Sequence, residues 1–125
     1  MWFKKAKTVK EEPKVLEVTL PNGLLLIALR TIDSYNIVNI ADVEEKLKLI
    51  ERAGLQTYEF GSFQDGVLKD TTTAILQDLL VYHSIGWVEV NKEKTACVFT
   101  QKGRCMAERL KVPESMEARF YSAFT

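Results

Sequence analysis

The stretch Leu79-Leu80-Val81-Tyr82-His83-Ser84-Ile85-Gly86-Trp87-Val88-Glu89-Val90, with its sequel Val98-Phe99-Thr100-Gln101-Lys102-Gly103-Arg104-Cys105-Met106-Ala107-Glu108-Arg109-Leu110, decides the fold. Apolar residues at helical spacing run up to Ser84 or Ile85, and Gly86 ends the helix. Residues 87–91 read as a strand, Lys92-Glu93-Lys94 as a tight turn, and 95–100 as the returning strand. Thr100 is placed to cap a last helix over 101–110, because its hydroxyl can accept from a free first-turn amide. Gly103 lets that first turn approach the sheet closely, and Pro113 blocks continuation.

Upstream, the long helix begins near Val67, or at Asp70 if that residue is its cap. At 100° per residue Leu68, Thr72, Ile75, Leu76, Leu79, Tyr82 and His83 share one face, with Asp70, Thr73, Ala74, Gln77, Val81 and Ser84 opposite. Residues 55–66 read as an irregular loop whose Tyr58, Phe60 and Phe63 pack down on the core. Before it, Val43, Leu47 and Ile50 form the apolar stripe of another helix, stopped by Gly54. Asn39 and Asp42 have the spacing of a capping box, and Val38 with Val43 that of a hydrophobic staple. Residues 37–39 are extended and can supply a first short strand. A helix over 24–35 is apolar on nearly every side, which suits the core centre or a dimer interface. Asn22 is its expected cap and Asn36 its left-handed end. Leu16, Val18 and Leu20 alternate with Glu17 and Thr19 as in a short half-buried strand, which Pro21-Asn22-Gly23 breaks.

The expected architecture is therefore α+β. From the second helix onward the order is scaffold helix, long helix, strand, turn, strand, helix, and residues 66–111 form its core. That order and the two quoted passages resemble the winged helix-turn-helix superfamily, with a small antiparallel wing sheet and here an additional N-terminal strand and helix. Tyr58-Glu59-Phe60-Gly61-Ser62-Phe63, followed by Leu68 and Leu76, is similar to the Panacea-type antitoxins and related uncharacterised prokaryotic winged-helix proteins. Ser62 stands where that pattern has a proline.

The resemblance implies a DNA-binding transcriptional regulator with double-stranded DNA as its partner, the exposed side of the long helix in the major groove and the wing along the backbone. Carried onto this chain, Lys69, Thr73 and Gln77 face the groove, Lys92 and Lys94 sit at the wing tip, and Lys102 and Arg104 approach phosphates. Against this stand Asp70 on the exposed face, which repels phosphate, and the absence of arginine from the long helix. The competing reading is a protein-interaction or antitoxin-like module on the same fold.

The chain carries no net charge, which counts against coating a polyanion by bulk attraction. The distribution is uneven. Residues 1–14 have five lysines against two glutamates, residues 15–90 five bases against eleven acids, and residues 91–111 six bases against two acids. Three segments follow: a basic arm at 1–14 with Trp2 and Phe3, a winged-helix domain at 15–112, and a tail at 113–125 that can assist dimerisation. In that tail Met116, Phe120 and Phe124 recur every four residues. A homodimer would present two recognition helices, with the apolar first helix, the arm and the tail as candidate interfaces. The longest apolar run, 24–29, cannot cross a bilayer, and a cytoplasmic location is expected.

His83, the single histidine, reads as a hydrogen-bonded, semi-buried side chain. Cys97 and Cys105 match no zinc spacing; they are either reduced thiols or, since strand and helix pack together, a disulfide. No nucleophile–base pair, phosphate-cradling glycine loop or metal motif stands out, so neither catalysis nor a cofactor is expected.

Overall fold

A computed structural model describes residues 16–17 and 20–122. The order is β1 (Leu16–Glu17), α1 (Pro21–Ile32), β2 (Val38–Asn39), α2 (Ile40–Arg52), β3 (Phe63–Gln64) and β4 (Val67–Leu68). Then follow α3 (Thr71–Ser84), β5 (Val88–Val90), β6 (Ala96–Phe99), α4 (Gln101–Ala107), β7 (Leu110–Lys111) and α5 (Glu114–Ser122). Among the described residues the fold is α+β, five helices with small sheets, in a layout compatible with a winged helix. The basic arm with Trp2 and Phe3, the strand residues Val18 and Thr19, and Phe124 lie outside the described residues.

α1 is the centre of the core. Every residue from Gly23 to Leu29 is buried, against α2, α3, α4 and β7, so this helix is covered within its own chain. Two boundary expectations are corrected. The helix starts at Pro21, whose fixed φ suits the first turn, and not after Asn22. Asn22 is a first-turn residue whose carbonyl accepts from the Tyr82 hydroxyl at 2.6 Å. The helix also stops at Ile32, three residues early. Asp33 closes a turn there by accepting from the amides of Tyr35 and Asn36, and Asn36 is not left-handed.

One partly buried cation ties this centre to the end of the chain. Arg30 Nη1 donates to the carbonyls of Ala107 and Leu110, the latter at 2.7 Å, and desolvation holds its pKa below the ordinary arginine value. The contact also explains why α4 ends at Ala107 and not at residue 110. Leu110 and Lys111 are drawn off as β7, parallel to β1, with Leu16 opposite Leu110. Phe120 of α5 is buried in the same core, and Met116 packs against it. The tail is thus part of the folded unit.

α2 follows its sequence pattern, with Val43, Leu47 and Ile50 fully buried and Val38 buried beside Val43. Asn39 is the N-cap by backbone geometry, yet its side chain makes no capping bond, so the expected capping box is absent. β2 pairs antiparallel with β6, and β6 with β5, giving the sheet order β2-β6-β5. Val38, Cys97, Phe99 and Val88 point from this sheet into the core.

α4 docks as the glycine requires. A Cβ on Gly103 would lie 1.7 Å from the Trp87 carbonyl oxygen. Thr100 caps the helix by accepting from the Gly103 amide at 3.0 Å, while its hydroxyl donates to the Gly86 carbonyl at 2.6 Å.

The interval between α2 and α3 differs most from expectation. Thr57 Oγ1 and the amides of Glu59 and Phe60 all donate to the Glu51 carboxylate, which folds the first part of the loop onto α2. Tyr58 is buried as expected, its hydroxyl 2.6 Å from Asp78 Oδ2, and Phe60 packs against the core. The second part is a hairpin in which Phe63 pairs with Leu68 and Gln64 with Val67. Asp65 and Gly66 make its two-residue turn with φ of 54° and 79°, the left-handed pair that such turns demand. Phe63 and Leu68 therefore lie on an exposed ribbon, and neither packs down.

Candidate nucleic-acid interface

α3 begins at Thr71 because Asp70 caps it. The Asp70 carboxylate accepts from the Thr73 hydroxyl at 2.7 Å and from the Thr73 amide at 3.0 Å. These two bonds, the side-chain one first, hold the carboxyl below its ordinary pKa, so it remains charged. The buried stripe is Thr71, Ile75, Leu79 and Tyr82, with Leu76 beside it. That corrects the expected face at three positions. Leu68 precedes the helix, Thr72 is exposed and donates to Glu44 Oε2 at 2.8 Å, and His83 is exposed.

The seven residues proposed to touch DNA are not equivalent. Lys69 lies before the helix, and its ammonium is 2.9 Å from Glu59 Oε1. Lys69 is the main reason the Glu59 carboxyl sits below its usual pKa. Thr73 is exposed, with its hydroxyl engaged by Asp70. Gln77 is exposed one turn further on. α3 carries no lysine or arginine.

Lys92 and Lys94 sit exposed in the turn between β5 and β6, and neither takes an ion-pair partner among the described residues. Asn91 builds that turn. Its carbonyl accepts from Lys94, and its side chain accepts from the amides of Thr95 and Ala96. Lys94 adopts φ 60° to close it. Lys102 reaches back to the Ile85 carbonyl at 3.4 Å, at the C-terminal end of α3, where a cation meets the negative end of the helix dipole. Arg104 lies over the Tyr35 ring, 4.8 Å from its centroid. The turn between β5 and β6 thus presents two open cations, while the other three bases of the seven have intramolecular roles.

Cys97 is buried on β6, and burial pushes its thiol up to about 11; Cys105 is exposed on α4. Both are free, so the disulfide option is not realised. The alternation of β6 turns Cys97 inward while Cys105 faces solvent, which separates the two. His83 is hydrogen-bonded as expected, Nδ1 lying 3.2 Å from the Val88 carbonyl, but 43% of its side chain is accessible. Among the described residues no helix is long and apolar enough to cross a membrane.

The hairpin lies at the boundary between the residues that read as an irregular loop and those that read as the start of the long helix, yet its signal is in the sequence. Asp65-Gly66 between two apolar-containing pairs is a strong short-range hairpin marker. No family model, no curated protein and no solved structure matches this chain.

Proposed function

We propose that this chain is a winged-helix module that works by holding a protein partner, and that α3 does not read DNA bases. The fold reading rests on the sheet order β2-β6-β5 with α2 and α3 between its first two strands in sequence, followed by the turn at 91–94 and α4. The observation that carries the functional reading is the charge at the start of α3. Asp70 stays ionised on the exposed side, Glu44 sits against Thr72, and Lys69 is neutralised by Glu59. A groove-entering helix needs the opposite sign near phosphates.

A second reading has its own support. The open Lys92 and Lys94 suit phosphate contact, which gives weak binding without sequence preference. Mobility shift at low salt on duplexes of random and genomic sequence separates the two. The expected result is no sequence-selective retardation, and at most a salt-labile shift that Lys92→Glu with Lys94→Glu abolishes. Selective retardation that disappears in Gln77→Ala would sink the protein-partner reading.

A further inference from the structure

The β3–β4 hairpin presents apolar side chains on both of its faces. Phe63 and Leu68 are a cross-strand pair on one face and Val67 lies on the other. Their exposures are 69%, 57% and 67%, so nothing in the described chain covers either face. Each strand is two residues long, and among the described residues the ribbon pairs with no other sheet. An isolated two-stranded ribbon is marginal in water and gains stability only when another element packs on it.

Its attachment to the rest of the chain is local. The Lys69 amide donates to the Ser62 carbonyl at 2.9 Å, and the Lys69 ammonium pairs with Glu59. The ribbon is therefore held at its base, with its apolar end outward.

The charges around it are mainly acidic. Asp65 forms the tip, Asp70 follows the second strand, and Glu44 of α2 accepts from Thr72 in the first turn of α3. A shallow depression at this end is lined by Gln64, Asp65, Val67, Leu68, Lys69 and Asp70. Lys69 is the basic member of that lining, and Glu59 neutralises it.

We infer that the β3–β4 hairpin is the docking surface of this module, and that its occupant is a segment of another protein carrying alternating apolar and basic side chains. This rests on the protein-partner reading above and adds the surface and the partner's chemistry. The apolar residues of the segment cover Phe63, Leu68 and Val67, while its ammonium or guanidinium groups meet Asp65, Asp70 and Glu44. Complementarity of this kind fixes partner choice more than raw affinity, because an acidic segment is repelled from the same surface.

The test uses the full chain, isotope-labelled, titrated at low salt with two capped synthetic peptides. Leucine alternates with lysine in one and with glutamate in the other. The lysine peptide is expected to shift the amides of residues 63–70 and of the first turns of α2 and α3, and the glutamate peptide to shift none. Phe63→Ser with Leu68→Ser should weaken the lysine peptide by about tenfold or more. Asp65→Asn, which tolerates the left-handed turn, should weaken it by a smaller factor and flatten its salt dependence.

Equal binding of both peptides, no binding, or binding unchanged by the hairpin substitutions overturns the proposal. Failure of the two readings remains distinguishable. A lysine peptide bound elsewhere removes the hairpin and leaves a protein partner. Base-selective DNA binding through Gln77 removes the protein-partner reading, whatever the peptides do.

Discussion

Replacing Gly103 with alanine should be among the most damaging single changes in this chain. The added methyl would lie 1.7 Å from the Trp87 oxygen and 2.5 Å from its carbonyl carbon, both backbone atoms that cannot swing aside. Ordinary contact requires about 3.5 Å, so α4 and the start of β5 must separate by roughly 2 Å. That movement stretches two bonds between the same elements, Thr100 Oγ1 to the Gly86 carbonyl at 2.6 Å and the Thr100 amide to the Trp87 carbonyl at 3.1 Å. Each contributes about 1 kcal/mol net. Overpacking strain adds about 1–3 kcal/mol. The sum, about 3–5 kcal/mol, is a large part of the roughly 5–15 kcal/mol that stabilises a small domain. Urea unfolding followed by circular dichroism measures it, with a midpoint about 1–5 M lower for a slope of about 1–3 kcal/mol/M. Cys105→Ala on the exposed side of the same helix is the control, expected within about 0.5 kcal/mol. A loss below about 1 kcal/mol in Gly103→Ala would refute the close docking of α4.

Arg30→Met should cost about 2 kcal/mol in the same assay, since it leaves the Ala107 and Leu110 carbonyls without their charged donor. At pH 8 an alkylating reagent followed by mass spectrometry should modify Cys105 quickly, and Cys97 only after denaturant is added, because burial keeps the Cys97 thiol protonated. The folded state holds the Asp70 carboxyl below its ordinary pKa, so this contribution to stability is complete above that ordinary value. It is lost as pH falls through the folded value. Asp70→Asn, still a good cap, should flatten acid unfolding by giving up at neutral pH the contribution that protonation removes from the unsubstituted protein. Glu51→Ala should speed hydrogen exchange at the Glu59 and Phe60 amides, while exchange in α1 stays slow.

How far the fold could be read in advance depended on how many constraints each residue satisfied at once. The stripe of α2, the Thr100 cap and the close approach at Gly103 were legible because local chemistry and burial point the same way there. Pro21 reads as a breaker in the sequence, although the same fixed φ that breaks a helix interior also begins one. β7 could not be seen, since it exists only through pairing with Leu16 and the pull of Arg30 from the far end of the chain. The hairpin gave no periodic signal because both of its faces are wet and apolar residues occupy each. The candidate DNA site was legible as a set of residue types and illegible as a set of charges. Lys69 reads as a free cation until Glu59, ten residues earlier, folds back onto it.

The parallel pairing of β1 with β7 also bears on the order in which the molecule assembles. Leu16 meets Leu110, and Arg30 bridges to a carbonyl eighty residues away, so these contacts close long loops. The entropy of such closure is lost before any contact is gained, which puts the seam late in folding, after α1, α2 and α3 have condensed. A Leu110→Ala variant should then leave the refolding rate nearly unchanged and accelerate unfolding, the signature of an interaction made after the barrier. The joined ends would act as a clasp that governs how long the native state survives, and hardly at all how fast it forms.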